Sequence, residues 1–355
     1  MDTSTQDTTS TQDTTSTHVP VAKKTHWYNS KTFKRFRRNP LALIGAFILI
    51  FYVVIATFAP QLTAGRLGRS CVRDLQPNRE ARDTIAQDVR NPLNLIFWRA
   101  VIWSPGSCFE VPRQSFIQEP TPPSSDYPLG LTGGSYDIYY GVVWGARSAF
   151  YIGVLVTVIS LALGILVGGS AGYFGGWLDS VLMRFTDTIY AFPNLILAMV
   201  FATIFGASLR NVMIAIALVG WPSYARILRG DILRVRAQDF VDGARSLGAR
   251  GPRLFWRHVL PNSIGSLIIV ASLDIGAVVL IAAALSFLGI GADIGFADWG
   301  QMINFARAWI QGPPGRPFAY WYVSFFPGFA IVLFVLGWNL LGDAFRDVND
   351  PYSNI

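Results

Sequence analysis

Few side chains in this sequence have the type and spacing for covalent chemistry. His18, His26 and His258 lie far apart, Cys71 and Cys108 form no CxxC pair, and no HExxH run occurs. No metal site and no nucleophile with an adjacent base can therefore be read from the spacing. The four lysines, Lys23, Lys24, Lys31 and Lys34, all precede the first apolar run. A phosphate-binding loop needs a lysine directly after its glycines, so the chain is not expected to hydrolyse ATP by that route. Two features remain. Asp274 stands alone in a long apolar run. An acid at membrane depth marks ion or proton handling, or else a polar contact to a neighbouring helix or a water-filled path. A single acid with no obvious partner is thin support for proton coupling, and the polar contact is the preferred reading. The second feature is a basic island: eight arginines (226, 229, 234, 236, 245, 250, 253, 257) against three aspartates (231, 239, 242).

The elements that position these groups are apolar. The chain has 355 residues, 52% hydrophobic and only 14% charged, where soluble domains carry about 25% charged residues. This is the composition of a polytopic membrane protein. The net charge of +7 sits beside the apolar runs, where the positive-inside rule places it, so no nucleic-acid partner is expected. An arginine at mid-bilayer costs roughly 3 kcal/mol, and eight would cost on the order of 20 kcal/mol. The island therefore lies in water.

In chain order, residues 1–30 begin with a repeated STQDTT and offer nothing for a core, which predicts a disordered tail that is not a cleaved signal. A basic juxtamembrane run and a first span occupy 31–60, with the span over 41–59 ended by Pro60. Residues 61–147 form a long extracytoplasmic insertion with nine arginines and eight acids. It contains both cysteines. That compartment permits a disulfide, and two free thiols are the alternative. The run 95–103 is apolar but too short to span, and reads as surface-lying or as part of a small domain. Further spans are expected over 148–173, 188–206, 211–225, 264–288 and 317–341, within a core of 148–343. The short fourth span would let Arg210 and Arg226 snorkel. The stretch 289–316 reads as an outer loop, with Trp299 and Trp309 suited to an interface. Residues 344–355 form a polar tail. The expected fold is all-α with six transmembrane helices, and the basic run and the arginine island place both termini in the cytoplasm.

The island, 226–261, reads as a bent knob. Asp239 is the expected N-cap of a short helix, with Asp242 completing a capping box. Phe240, Ala244 and Leu247 form its apolar stripe. Gly248 falls where a helix end needs positive φ. A second helix starts at Pro252 and is closed by Pro261.

Asp242-Gly243-Ala244, Gly248 and Leu260-Pro261 together resemble the cytoplasmic docking loop of ABC-importer permeases. Four further stretches resemble the C-type inner-membrane subunit of the dipeptide, oligopeptide and nickel importers. These are Arg38-Asn39-Pro40-Leu41-Ala42; Leu182 to Asp187 with Ala191-Phe192-Pro193; Ala284 to Gly289 with Trp299-Gly300; and Asn339 to Asp343 with Arg346-Asp347 and Asp350-Pro351. The chain departs from the family at Asp242-Gly243, where Glu-Ala is usual, at Gly130 to Asp137, which keeps only the skeleton of the family stretch before the second span, at Ala282, where a glutamate is common, and over 62–125, a segment longer than the family leads one to expect.

The resemblance implies a type I ABC-importer permease fold with its long insertion between helices 1 and 2, in the inner (plasma) membrane. It implies the following partners: a second, homologous permease subunit in a heterodimer, two ABC ATPase subunits that bind the ATP and magnesium, a solute-binding protein outside, and the lipid bilayer. No cofactor, no metal and no catalytic residue belong to this chain. The implied coupling residues are Asp242, Gly243, Ala244, Leu247, Gly248, Phe255, Arg257, Leu260 and Pro261, and the path candidates are Asp274, Asp187 and Ser286. The implied cargo is di- or oligopeptides, with nickel or another small solute as the alternative. An ion-coupled secondary transporter is the rival from another class.

Overall fold

The computed structural model describes residues 37, 39–76, 82–115 and 117–349. The tail repeat, nearly all of the basic run 31–38 and the last residues lie outside these. Among the described residues there is no strand, only isolated bridges such as Glu110 to Phe296. Five helices among the described residues are long and apolar enough to cross a membrane, and the number is six where a bent pair is counted as one span.

Helix α1 (Pro40–Thr57) starts where Asn39 caps it, accepting from the Leu41 and Ala42 amides at 3.0 and 3.4 Å. Pro40 takes the first-turn position that needs no amide donor. One face, Ala42, Gly45, Leu49, Tyr52 and Ala56, is buried. The opposite face exposes Leu43, Phe47, Ile50 and Val54, as a lipid-facing surface does. The Asn39 amide also donates to Asp347 at 3.1 Å, which ties the start of the first span to the end of the last.

The insertion folds as a small helical cap of α2 (Arg69–Leu75), α3 (Ile85–Arg90) and α4 (Leu95–Ile102). Cys71 and Cys108 are bonded, with Cα atoms 4.5 Å apart, and both are fully buried. They share a core with Leu75, Ile85, Val89 and Ala100. Beside them Ser107 donates to Asp74 at 2.6 Å and holds that carboxyl below its usual range. Helix α4 turns Phe97 and Ala100 inward and leaves Leu95, Trp98 and Ile102 exposed. Labelling of the unreduced, denatured protein is expected to find no reactive thiol. Removing the bond should destabilise the cap by about 4 kcal/mol in the chain-entropy model. Two reactive cysteines would overturn both statements.

The cap stands on α5 (Ile138–Phe174), which begins ten residues before the expected start of the second span at 148. Its 37 residues extend about 55 Å at 1.5 Å per residue, well beyond a ~30 Å hydrocarbon core. The expected boundary at 147 falls inside this helix. Arg147 suggested a break, but its guanidinium donates to the Ala100 and Val101 carbonyls and to Ser104 at 2.7–3.3 Å, closing the C-terminus of α4. Asp137 caps α5 at the Tyr140 amide and pairs with Arg66 at 2.6 Å. Arg66 also donates to the Asp126 carbonyl.

The third span differs from expectation. Helix α6 (Gly176–Tyr190) and α7 (Asn194–Phe205) meet at an 89° bend. Pro193 has no amide donor and disfavours helical backbone at Phe192, so the chain turns where a straight span over 188–206 was expected. The fourth span is longer than expected. Helix α8 (Leu209–Arg236) runs 28 residues, capped by Ser208 and continuing past Arg226. Two arginines in its second half have partners: Arg229 is bidentate to Asp179 at 2.5 and 2.6 Å, and Arg226 meets Asp187 at 2.8 Å. Residues 226–236 are therefore helix, and the knob begins after them.

Helix α8 is followed by the short helices α9 (Asp239–Ser246), α10 (Gly251–Leu254) and α11 (Leu260–Ser263), and then by α12 (Gly265–Phe287). Helix α13 (Trp299–Ala306) lies in the stretch expected to be an outer loop, and α14 (Trp321–Asn349) is the last span. Trp299 is only 2% exposed, its indole donating to the Val142 carbonyl at 3.1 Å. It packs with Tyr52 and Phe334 in a central core, not at an interface; a paired indole N–H lets so large a ring be buried.

Candidate functional site

Two places gather the residues of interest: the knob, and a cavity among α5 to α8 and α12.

The knob starts one residue earlier than the capping box implied. Gln238 occupies the cap position of α9 without a side-chain bond, and Asp239 and Asp242 lie in the first turn. Asp242 pairs with Arg245 at 2.8 Å instead of reaching back. The expected stripe divides. Val241 is fully buried and Ala244 partly so, whereas Phe240 and Leu247 are 44% and 91% exposed. The inward face packs on Tyr224, Leu228 and Ile232 of α8 together with Leu254, Val259 and Leu260. Val241 was missed because its neighbour Phe240 is the larger apolar residue; the helix start decides which of the two faces in.

Gly248 ends α9 at φ +91°. Its amide donates to the Arg245 carbonyl and the Ala249 amide to the Ala244 carbonyl, each at 3.0 Å. This is the paired closure of a Schellman motif. Gly243 is open, with nothing within 4 Å of an added Cβ. After α10 the backbone makes a π turn, Phe255–Val259. Pro261 does not close the second helix as expected but lies in the first turn of α11. A π turn accommodates the amide that proline lacks. The Phe255 ring meets Tyr173 of α5 at a tilt of 57°, centroids 5.0 Å apart. Arg257 is exposed and Leu260 is buried.

The cavity holds about 250 Å³ and is lined by Ser160, Tyr190, Asn194, Ser223, Tyr224 and Asp274 among apolar residues. Among the described residues the Asp274 carboxylate makes no ion pair, and the Tyr224 hydroxyl lies close to it but not in hydrogen-bonding geometry. Asp187 is not part of the cavity wall. Its partner Arg226 lies 4.2 Å over the ring of Tyr190, which lines the cavity. Ser286 is elsewhere: it is fully buried beside Gly291 and near the Asp298 carboxylate that caps α13. The structure thus places Asp274 in the cavity wall, leaves Asp187 outside that wall and linked to it only through Arg226 and Tyr190, and leaves Ser286 under the outer segment.

Sequence reasoning missed the seam between α5 and α8. Gly164, Gly168 and Gly172 recur every four residues, and a Cβ on any of them would press on α8. The small-residue spacing of close-packed membrane helices was visible in the sequence.

Comparison with known proteins gives the family. Residues 136–352 match the family model described as binding-protein-dependent transport system inner membrane component. Residues 28–71 match the N-terminal TM domain of oligopeptide transport permease C. The chain is 33% identical over 321 residues to the dipeptide transport system permease protein DppC of Alkalihalophilus pseudofirmus, covering 90% of this chain and 89% of that one. It is 32% identical over 332 residues to the glutathione transport system permease protein GsiD of Escherichia coli O6:K15:H31, covering 94% and 92%. A second GsiD, of Pectobacterium atrosepticum, is 37% identical over 229 residues, covering 64% and 74%. The many-helix membrane architecture, the shared length and the matched model agree: this chain belongs to the family of inner membrane components of binding-protein-dependent transport systems.

Proposed function

We propose that this chain is one of two homologous permease halves of an ATP-driven importer for di- or oligopeptides, with 240–261 as its coupling element. The observation that carries the reading is the seating of the knob. Its inner face is packed into α8 through Val241, Leu254 and Val259, while Phe240 and Leu247 stand free on the outside. A docked ATPase subunit would find two apolar anchors on a body rigidly continuous with a membrane span. ATP closure would then move knob and span together, and the cavity would open alternately to the two sides. The names of the relatives, dipeptide and glutathione permeases, support a small peptide as cargo. ATP and magnesium belong on the partner ATPases, and the binding protein meets the outer cap. Both termini lie in the cytoplasm on this reading, with the cap 61–137 outside and 138–343 as the permease core.

The test is isolation of the tagged full-length protein in mild detergent, with identification of every chain that follows it. A phosphate-loop ATPase and a second, six-span permease are expected. Purification alone or as a homo-oligomer would refute the reading. Uptake is expected to survive collapse of the proton gradient and to stop on ATP depletion; the reverse would favour ion coupling.

Asp274 is proposed as a polar station in the path, with Asp187 acting on the cavity through Arg226 and Tyr190 and Ser286 supporting the outer segment. Asp274→Asn is expected to impair uptake less than Asp274→Leu, because the amide still forms hydrogen bonds and leucine strands its neighbours. Equal loss in both variants would show that the charge itself is needed.

A further inference from the structure

Two cavities meet at the end of α5 that carries Tyr173 and Phe174. The first is an apolar groove of about 200 Å³ between the last turns of α5 and the stretch 252–256. Gly169, Tyr173 and Phe255 form its floor. A Cβ on Gly169 would stand 3.2 Å from the Phe255 ring, so the glycine keeps the groove open. Leu166, Phe174 and Trp256 along it are 62%, 68% and 60% exposed. At 1.5 Å per residue, the α5 wall from Ile165 to Phe174 is about 13 Å long. One leaflet of a ~30 Å hydrocarbon core has nearly the same depth.

The second cavity, about 420 Å³, shares Tyr173 and Phe174 with the first and is lined by Arg236, Arg245 and Arg250, with no carboxylate in its wall. Arg236 is held in place, donating to the Gly172 carbonyl at 2.8 Å and lying over the Tyr173 ring. Arg245 is shared with Asp242. Arg250 is exposed and has no partner among the described residues. The Tyr173 hydroxyl fixes the wall between the cavities by donating to the Gly251 carbonyl at 2.8 Å.

We propose that these joined cavities hold one anionic phospholipid, its phosphate among Arg236, Arg245 and Arg250 and an acyl chain in the groove. Charge and shape agree on this occupant. Basic pockets at the membrane face of helix bundles take anionic headgroups. A free phosphate would fill the arginine pocket and leave the groove empty. A zwitterionic lipid would carry its own ammonium into a pocket of three guanidinium groups. An apolar helix from a partner would cover the groove and leave Arg250 unpaired. The lipid would bridge α5 to the knob at Gly251–Trp256, within the proposed coupling element, and its retention by the isolated protein does not depend on whether an ATPase docks there.

The test is native mass spectrometry of the full-length protein, exchanged in mild detergent with equal amounts of phosphatidylglycerol and phosphatidylcholine. The wild type should retain phosphatidylglycerol in preference by about tenfold, as several guanidinium contacts would give. Arg250→Gln should reduce that preference about fivefold, and Arg245→Gln with Arg250→Gln should bring it near parity. Both side chains are exposed, so these variants keep the fold, and Arg316→Gln serves as a control with unchanged preference. Equal retention of the two lipids by the wild type would overturn the proposal, as would a preference unmoved by the double substitution. Displacement of the lipid by millimolar inorganic phosphate would show an anion pocket only. A photoreactive residue at Leu166 that captures a polypeptide instead of lipid would assign the groove to a partner chain.

Discussion

Gly248→Pro is expected to leave the protein in the membrane at its normal level while abolishing uptake and ATPase association. The effect is conformational. Gly248 has φ +91° and nothing within 4 Å of an added Cβ, so no packing is disturbed by bulk. Proline is locked near −65° and has no amide, and it would remove the bond from Gly248 to the Arg245 carbonyl. The turn that folds α10 back beside α9 could not close, and Phe240 and Leu247 would lose their orientation relative to α8. Gly248→Ala isolates the backbone cost. It keeps the amide but pays about 1–2 kcal/mol for a left-handed residue, so partial uptake is expected. Uptake assays and co-purification read both variants, and normal uptake with the proline variant would remove the knob from the mechanism.

Gly168→Leu should lose the folded protein rather than one activity. A Cβ there would stand 2.6 and 2.7 Å from Ala225 Cα and C, and closer still to its carbonyl oxygen. These are backbone atoms, so no side-chain rotation can relieve the contact. Gly164 and Gly172 meet the same helix, at the Ala225 amide and at the Arg229 carbonyl, each 3.1 Å from an added Cβ. Separating α5 from α8 would also disturb the Arg229–Asp179 pair and the cavity beyond. Overpacking against side chains costs about 1–3 kcal/mol, and an immovable backbone should raise this above ~3 kcal/mol. Melting in detergent, followed by size exclusion, measures it. Gly230→Ala on α8, with open space around its Cβ, is the control expected to melt no lower than wild type. A Gly168→Leu protein that melts with the wild type would show that the seam tolerates separation.

Much of this protein is determined by local sequence. Apolar runs of bilayer length require membrane helices in any fold, because an unpaired backbone is intolerable in lipid. The isolation of Asp274, the need for positive φ at Gly248 and the cap at Asn39 likewise follow from a residue and its immediate neighbours. Charge placement is different. Arg147 and Arg226 looked like the ends of spans because hydropathy counts a charge without asking what meets it. Arg147 lies inside α5 because the carbonyls of α4, more than forty residues earlier, receive it. Arg226 and Arg229 continue α8 because Asp187 and Asp179 face them from α6. The inward turn of Val241, the burial of Trp299 and the 89° bend at Pro193 were decided in the same way. Proline and apolar character require a bend and a buried face, but only the packed neighbours choose the angle and the side. The sequence by itself determined a multi-span membrane protein with a basic knob. The tertiary structure decided which charges are satisfied, and so where each helix ends and what the knob leaves free to bind.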